Sequence, residues 1–593
     1  MSEYNHPYKD VDFVIKEIVE FDAFCEKAGL EDVNSEFASV ILNEAAKLGS
    51  EVIAPLNKTG DSQGATLTDN KVLQADGFNE AYQQYMENGW SSLTAEEEYG
   101  GQNLPNLFGT AINEVWQSAN LAFSLCPMLT QGAISAIKHH GSDSLKQTWL
   151  PNMISGQWTG TMNLTEPDAG TDLAAIKTKA IPSDDHYLIS GQKIFITWGD
   201  HQMTENVVHL VLARLPDAPA GVKGISLFVV PKFLLDEQGN TTSQLNDVHC
   251  TALEHKLGIH ASPTCSMSFG DNDGAVGYIV GEPHKGLSYM FTMMNHARQD
   301  VGLQGLAVSE RSYQQALEYA KERLQGTNKD GSRFSIIKFP DVRRMLMQMK
   351  ASIEAMRALA YVASNETDKS RYAKTTEEKA KHFSRVELYT PIVKGWLTEL
   401  AQEVTYLGTQ IHGGMGFIEE TGSAQHYRDA RILTIYEGTT GIQALDLVGR
   451  KTLFDQGEQL AQLLSDIKQT SKDLQHYPEL DKLALSLDNA VKTGHQARNW
   501  LLDNAQTDKS AAGSISVNFM MMFGYISGAW MMAKAAIKSQ KKLNSAQGDP
   551  QFFKAKLVTV QFYFDHLLPR IHTNMASIQA GSNSIMSLPE DQF

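Results

Sequence analysis

Ile435-Tyr436-Glu437-Gly438-Thr439-Thr440-Gly441 puts one carboxylate on a Gly/Thr-rich turn. Ile432, Leu433 and Ile435 precede it, and a helical pattern starts near Ile442. Burial disfavours the charged form of a carboxyl group, so an acid among apolar side chains has its pKa raised. Such a group suits a general base that must take a weakly acidic proton. The same residue also reads as a solvated acid at a helix N-terminus, favoured by the dipole. The rest of the chain decides between the two.

Upstream, Val393, Trp396, Leu400, Val404, Leu407 and Ile411 recur at helical spacing. Pro391 is expected to open that helix and Gly413-Gly414 to stop it. Pro340 opens another, followed by Val342, Leu346, Met349, Ile353, Met356 and Ala360. Leu306, Tyr313, Leu317, Ala320 and Leu324 form a stripe on a third. Residues 286–452 therefore read as a helical bundle. Residues 158–285 read as a small β domain, with a hairpin over 186–199 that turns at Ser190-Gly191. Segments 207–215, 224–231 and 265–269 are β-like too. Residues 1–157 read as an N-terminal α-helical domain, with Phe37, Val40, Leu42, Ala45, Leu48 and Val52 on one helix face. Residues 453–593 read as a separate C-terminal helical unit. The fold class is mainly α with a central β domain.

Residues 511–533 carry no charge, are long enough to span a bilayer and contain Gly524 and Gly528 as GxxxG. Ser514, Ser516, Asn518 and Ser527 interrupt the run. A buried Met-rich helix is the favoured reading, so a membrane is not an expected partner and peripheral association is the only form left open.

The 593-residue chain carries a formal charge of −18. A nucleic-acid binder needs a basic footprint, so nucleic acid is not an expected partner. Cys25, Cys126, Cys250 and Cys265 are scattered along the sequence, which fits a reducing compartment and offers no metal-ligand spacing. The N-terminal sequence carries acids and no apolar run, so a cytoplasmic location is expected.

Four further segments offer chemistry. Residues 163–172, Asn-Leu-Thr-Glu-Pro-Asp-Ala-Gly-Thr-Asp, combine hydroxyls with backbone N–H groups that can hold a ring edge or phosphate; an ordinary capped turn is the plainer reading. Phe195 and Thr197 lie two apart on a strand and are expected on one face. Arg298 and Arg323 bracket one helix, and 25 residues of helix span roughly 37 Å, so they cannot share one phosphate. Gln410-Ile411-His412-Gly413-Gly414-Met415-Gly416 ends a helix with backbone that a ligand could approach. No GxGxxG follows a strand, which excludes a Rossmann mode.

Together and in order, these segments resemble the acyl-CoA dehydrogenase family over about residues 35–450: TEPDAGTD at 165–172, GQKIFITWGD at 191–200, the Arg298–Arg323 helix, IHGGMGF at 411–417 and RDARILTIYEGTTGIQ at 428–443. The length and the tail resemble its enlarged branch. The resemblance implies an α-helical N-terminal domain, a β-barrel-like middle domain, a four-helix bundle holding FAD and an added C-terminal helical domain. It implies Glu437 as catalytic base. It implies Met162, Leu164, Thr165, Thr171, Phe195, Thr197, Arg323, Gln410, Gly413, Gly414 and Thr439 at FAD, and Asn295, Arg298 and Gly438 at the acyl-CoA. Phe195 stands where many members have Trp, and Met162 where Tyr is frequent. Residues 326–338 depart from the shorter family pattern.

The implied reaction is FAD-dependent α,β-dehydrogenation of an acyl-CoA in fatty acid or methylthiopropionate-type catabolism. Electrons would pass to an electron-transferring flavoprotein, and the assembly would be a homodimer. Two rivals stand beside it: an acyl-CoA oxidase that reduces O₂, and a non-enzymatic DNA-associated member of the fold.

Overall fold

The computed structural model describes residues 3–593. The chain forms two compact units: residues 45–300, and the residues up to Glu44 together with Val301–Phe593.

The unit of residues 45–300 begins with helices. Pro55–Gln63, Phe78–Glu87, Asn106–Ala119, Leu121–His140 and Asp143–Ser155 precede the first strand of the main sheet, Trp158–Asn163. The sheet follows the order Val248–Leu253, Thr264–Phe269, His186–Thr197, Ala275–Ile279, Ile225–Pro231, Asn206–Arg214, Trp158–Asn163. Lys179–Ser183 pairs with both His186–Thr197 and Asn206–Arg214, which closes a ring of five strands. The run Val207, Val208, Leu210, Val211 and Leu212 is buried on both faces, as a strand covered on both sides requires. Ile189, Ile196, Phe228, Val230, Met267 and Phe269 fill the core.

The hairpin expected over 186–199 is not formed. His186–Thr197 is one continuous strand. Gly191 serves a close approach: a Cβ there would lie 2.5 Å from Thr178 Oγ1. At this point the strand passes from pairing with Ala275–Ile279 to pairing with Thr264–Phe269. The glycine therefore marks a change of neighbour within a strand, a second use that sequence alone does not separate from a turn.

In the other unit, Pro340–Arg371 starts at Pro340 as expected. The helix expected to open at Pro391 instead starts at Thr376, capped by the Thr375 hydroxyl accepting from Glu378 N at 3.1 Å. Pro391 lies inside it, and burial of Leu388 through Leu397 holds the helix despite the lost hydrogen bond. It ends at His412 with Gly413 at φ +60°, as expected. Gly286–Glu322 is one helix of 37 residues. Leu324 lies beyond it, in a strand, and is exposed.

The tail is not separate. Ala511–Asn544 packs against Pro340–Arg371, Thr376–His412 and Thr440–Val448. It meets the length and hydropathy of a membrane span, yet 83% of its most apolar window is buried inside the protein. A Cβ on Gly524 would lie 2.2 Å from Trp396, and one on Gly528 2.3 Å from the Tyr563 hydroxyl. The GxxxG pair is thus spent on seating two large aromatic rings.

The first 44 residues belong to the unit that contains Val301–Phe593. Asp10 accepts from both Arg357 and Lys556, Lys556 also pairs with Glu354 at 2.7 Å, and Arg357 pairs with Glu310 at 2.8 Å. Phe13 meets Phe552 edge to face at 5.6 Å. The helix over Ser35–Leu48 buries Ala38, Leu42, Ala45 and Ala46, whereas Phe37 and Val40 are exposed. Leu42, Ala45 and Leu48 are thus buried as expected, and Phe37 and Val40 depart from the stripe.

Four buried histidines tie this packing to pH. Burial holds His6, His201, His209 and His426 down near pKa about 3. Between about pH 6.5 and 3 the unfolded chain binds a proton at each and the folded chain does not. Stability is therefore expected to fall on acidification, by about 1.4 kcal/mol per pH unit per histidine. Urea midpoints at pH 7 and 5 read this, and equal midpoints would refute neutral burial.

Candidate active site

In the unit containing Val301–Phe593, the turn around Glu437 follows the single turn Arg431–Thr434 and precedes the helix Thr440–Val448. Thr439 caps that helix by accepting from Ile442 N at 3.3 Å. Glu437 sits at φ +56° and Gly438 at φ +93°. A non-glycine residue held left-handed costs roughly 1–2 kcal/mol, so its surroundings must fix it. They do so through the backbone. Lys394 is fully buried, and its ammonium donates to Gly438 O at 2.6 Å. Gln443, also fully buried, donates to Glu437 O at 3.1 Å and Gly438 O at 3.4 Å. A Cβ on Gly438 would lie 2.7 Å from that Gln443 amide. The Tyr436 hydroxyl donates to Gln304, and Thr440 donates to Glu399 at 2.5 Å. Burial, and then the charge of Glu437, raises the Tyr436 hydroxyl well above its usual range, so it stays a donor.

The apolar setting expected for Glu437 is partial. Leu433 is buried, Ile435 is 46% exposed and Glu437 itself is half-buried. Its carbonyl side is clamped while its side chain remains reachable.

Gln410, Gly413 and Gly414 sit exposed at the end of Thr376–His412, and a Cβ on either glycine would meet open space. Arg323 is exposed just past Glu322, its N–H still bonded to Tyr319 O at 2.8 Å. The unbroken helix supports the argument that Arg298 and Arg323 cannot serve one phosphate.

In the unit of residues 45–300, the 163–172 loop is built around a buried ion pair. Lys193 is fully buried and donates to Glu166 at 2.8 Å and Leu164 O at 3.0 Å. Glu166 also accepts from Lys177 N at 2.6 Å, Thr178 N at 3.1 Å and the Thr178 hydroxyl at 2.5 Å. Burial would raise the Glu166 carboxyl, but Lys193 and these donors outweigh it and hold it below its usual value. Burial brings the Lys193 ammonium down to about 8. The loop is thus tied inward at Glu166 and at its surface by Lys177 to Asp168 at 2.6 Å, while the hydroxyls of Thr165 and Thr171 make no intramolecular hydrogen bond among the described residues.

Phe195 stands beside this loop. Its φ is +60°, and the pairing of its strand with Thr264–Phe269 slips between Lys193 and Ile196. Ile194 N donates to Thr165 O at 2.9 Å, so the bulge is tied to the loop. Simple alternation therefore does not hold at this point. Both Phe195 and Thr197 nonetheless stay out of the core that takes Ile196: Phe195 is 59% exposed and Thr197 half-buried. Met162 and Leu164 are half-buried nearby in sequence, Asn295 is exposed and Arg298 is buried.

Within residues 45–300 an exposed aromatic ring stands beside a loop whose Thr165 and Thr171 hydroxyls make no hydrogen bond among the described residues; the other unit, taken by itself, presents the exposed Arg323 and open backbone at Gly413 and Gly414. Each set suits part of a flavin dinucleotide. Sequence reasoning missed the supports: Lys193, Glu166, Lys394 and Gln443. The signal available was a lysine inside each of two otherwise apolar runs, 193–196 and 392–397. No group of side chains suited to a metal ion occurs among the described residues.

Four family models match along the chain: Acyl-CoA dehydrogenase, N-terminal domain, over residues 39–157; middle domain, over 161–272; C-terminal domain, over 284–452; and Acetyl-CoA dehydrogenase C-terminal like, over 463–589. The chain is 44% identical to a 3-methylmercaptopropionyl-CoA dehydrogenase of Ruegeria pomeroyi, covering 98% of this chain and 99% of that one. It is 33% identical to a broad-specificity linear acyl-CoA dehydrogenase of Mycobacterium tuberculosis, with 100% of both covered. Its fold is similar to that of an acyl-CoA dehydrogenase of Bacillus anthracis solved with FAD, at a TM-score of 0.73 and 23% identity, covering 93% of this chain and 89% of that one. With all four family segments in order from residue 39 to 589, the chain belongs to the acyl-CoA dehydrogenase family of oxidoreductases.

Proposed function

We propose that this protein dehydrogenates an acyl-CoA thioester between Cα and Cβ to give the trans-2-enoyl-CoA, with Glu437 as the base that takes the α-proton. The observation that carries this reading is the turn itself. Glu437 occupies a strained left-handed conformation, and two fully buried side chains, Lys394 and Gln443, hold its carbonyl side. A backbone held at a cost around one carboxylate is the arrangement expected where that carboxylate must be aimed.

The cofactor is FAD, which when bound accepts the hydride leaving Cβ. Met162, Leu164, Thr165, Thr171, Phe195 and Thr197 are the proposed contacts from residues 45–300, with Arg323, Gln410, Gly413, Gly414 and Thr439 from the bundle. Asn295, Arg298 and Gly438 are assigned to the acyl-CoA. Removing an α-proton builds negative charge on the thioester oxygen, and preorganised N–H donors there each supply a few kcal/mol. The Glu437 backbone N–H is the donor that the family resemblance assigns.

Electrons leave, in this reading, through an electron-transferring flavoprotein. The protein works in the cytoplasm as a homodimer, the bulk of the tail limiting assembly; light scattering checks this, and a tetramer mass would reject it. Turnover of acyl-CoAs from C4 to C18 and of methylthiopropionyl-CoA, with an artificial acceptor, tests the activity. The 44% identity to a 3-methylmercaptopropionyl-CoA dehydrogenase puts the sulfur compound first. Rapid peroxide formation without an acceptor would favour the oxidase reading instead.

The two arginines give a separable expectation. Arg323→Ala should purify depleted in FAD. Arg298→Ala should stay yellow but turn over acyl-CoA more weakly. Flavin absorbance and steady-state kinetics distinguish them, and the reverse pattern would refute the division.

A further inference from the structure

Within the unit containing Val301–Phe593 lies a cavity of about 240 Å³ that shares no lining residue with the Glu437 turn or the flavin candidates. The N-terminal segment contributes residues 18–20, Pro340–Arg371 contributes Val362, Asn365, Glu366 and Lys369, and the rest comes from Thr376–His412, Glu458–Leu474 and Ala511–Asn544. That volume is just below the usual range for drug-sized ligands, roughly 300–1,000 Å³.

Four cations line it, Lys369, Lys381, Arg385 and Lys534, with three carboxylates, Glu20, Glu366 and Asp466. Each carboxylate is already matched. Glu366 holds Lys369 at 2.8 Å and His382 at 2.7 Å, Asp466 holds Arg385 at 2.7 Å, and Glu20 pairs with Lys538 from outside the cavity. Lys381 and Lys534 are left over. The Lys534 ammonium makes no hydrogen bond or ion pair among the described residues; its neighbour is the face of Trp530, 4.4 Å away. Asn365 is 1% exposed; its Oδ1 is buried without a partner, and its NH₂ group makes no hydrogen bond among the described residues.

An ammonium carries three donors, and burying it without an acceptor is costly. Burial, and then the charge of Lys369, brings Lys534 down to about 8 against the opposing pull of Glu20, Glu366 and Asp466, none of which pairs with it directly. A chain of net charge −18 has carboxylates to spare, yet none is placed within ion-pair distance of this lysine. A second unsatisfied polar group, Asn365, lines the same hollow.

We propose that this cavity is a binding site for a small anion bearing a carboxylate or phosphate group, held by Lys534 and Asn365 with the exposed Lys381 completing the charge balance. The ligand supplies an acceptor for the half-buried Lys534 ammonium and for the Asn365 NH₂ group. Trp530 offers an apolar wall, so a short carbon skeleton fits beside the charged end.

The test is calorimetric titration of the full-length, FAD-loaded protein with inorganic phosphate and, separately, with succinate, at constant ionic strength held by NaCl. One saturable site per chain is expected for at least one of them, and which one binds identifies the anionic group. Lys534→Met keeps the stem and removes the charge, and is expected to weaken that anion about tenfold or more. Lys534→Arg should bind within about threefold of the native chain, because a charged donor is retained. Asn365→Leu, which leaves every charge in place, should weaken binding about threefold or more, the loss of one hydrogen bond. Acyl-CoA turnover should be unchanged in all three. Absence of saturable binding up to about 20 mM, far weaker than a 1 mM site requires, would overturn the proposal. So would unchanged affinity in both Lys534→Met and Asn365→Leu, which would mean adventitious binding only.

Discussion

Glu437→Gln is expected to bind FAD and acyl-CoA as the native chain does, yet to bleach the flavin about 10²–10⁴-fold or more slowly, the range for loss of a general base. Glutamine keeps the size of the side chain. The groups that fix the turn, Lys394 and Gln443, bind the backbone carbonyls of Glu437 and Gly438 and are indifferent to the substitution. The left-handed turn should therefore survive, and only the capacity to take a proton is lost. Anaerobic stopped-flow absorbance after mixing with acyl-CoA reads the rate. Near-native bleaching would sink the assignment of the base.

The largest effect on stability is expected from Lys193→Met. Lys193 and Glu166 are both buried, and the change removes one charge while stranding the other. Breaking such a pair from one side costs about 3–5 kcal/mol. Thr178 and Lys177 still donate to Glu166, which argues for the lower end of that range. The 163–172 loop also loses the tie from Lys193 to Leu164 O, so flavin content should fall with stability. Adding Glu166→Gln to Lys193→Met removes the stranded charge and should recover part of the loss. Urea midpoints and the ratio of flavin to protein absorbance follow both effects. A single variant as stable as the native chain would show that the ion pair does not fix the loop.

What could be read in the sequence divides along physical lines. Pro340 at a helix start and Gly413 at a helix end carry local backbone rules, and both were legible. Pro391 broke the same rule because buried neighbours on both sides hold the helix through it, a tertiary effect with no local trace. Gly191 reads as a turn in the sequence because close approach of a neighbouring segment is invisible until the register is known. Phe37 and Val40 lie at the edge of the apolar stripe, and the packed face takes Leu42, Leu48 and three alanines instead. At the site, Glu437 stood out by its turn chemistry. Lys394, Gln443, Lys193 and Glu166 did not, because their roles depend on carbonyls and carboxylates remote in sequence: Lys394 meets Gly438 O, and Lys193 meets Glu166.

The clasp made by Asp10 has a consequence for synthesis. Its partners are Arg357 and Lys556, and the second lies 546 residues downstream. Residues 45–300 are contiguous and can complete their own packing as the chain emerges, whereas the first 44 residues belong with a unit that ends at the C-terminus. At the usual ~5–20 residues per second, Lys556 follows Asp10 after roughly 30–110 s. Over that interval Val11, Phe13, Val14, Ile15 and Ile18, all buried in the finished fold, have no completed surface to cover them. This apolar segment therefore stays uncovered longer than any stretch within residues 45–300, and the step that covers it is the arrival of the helices around Lys556.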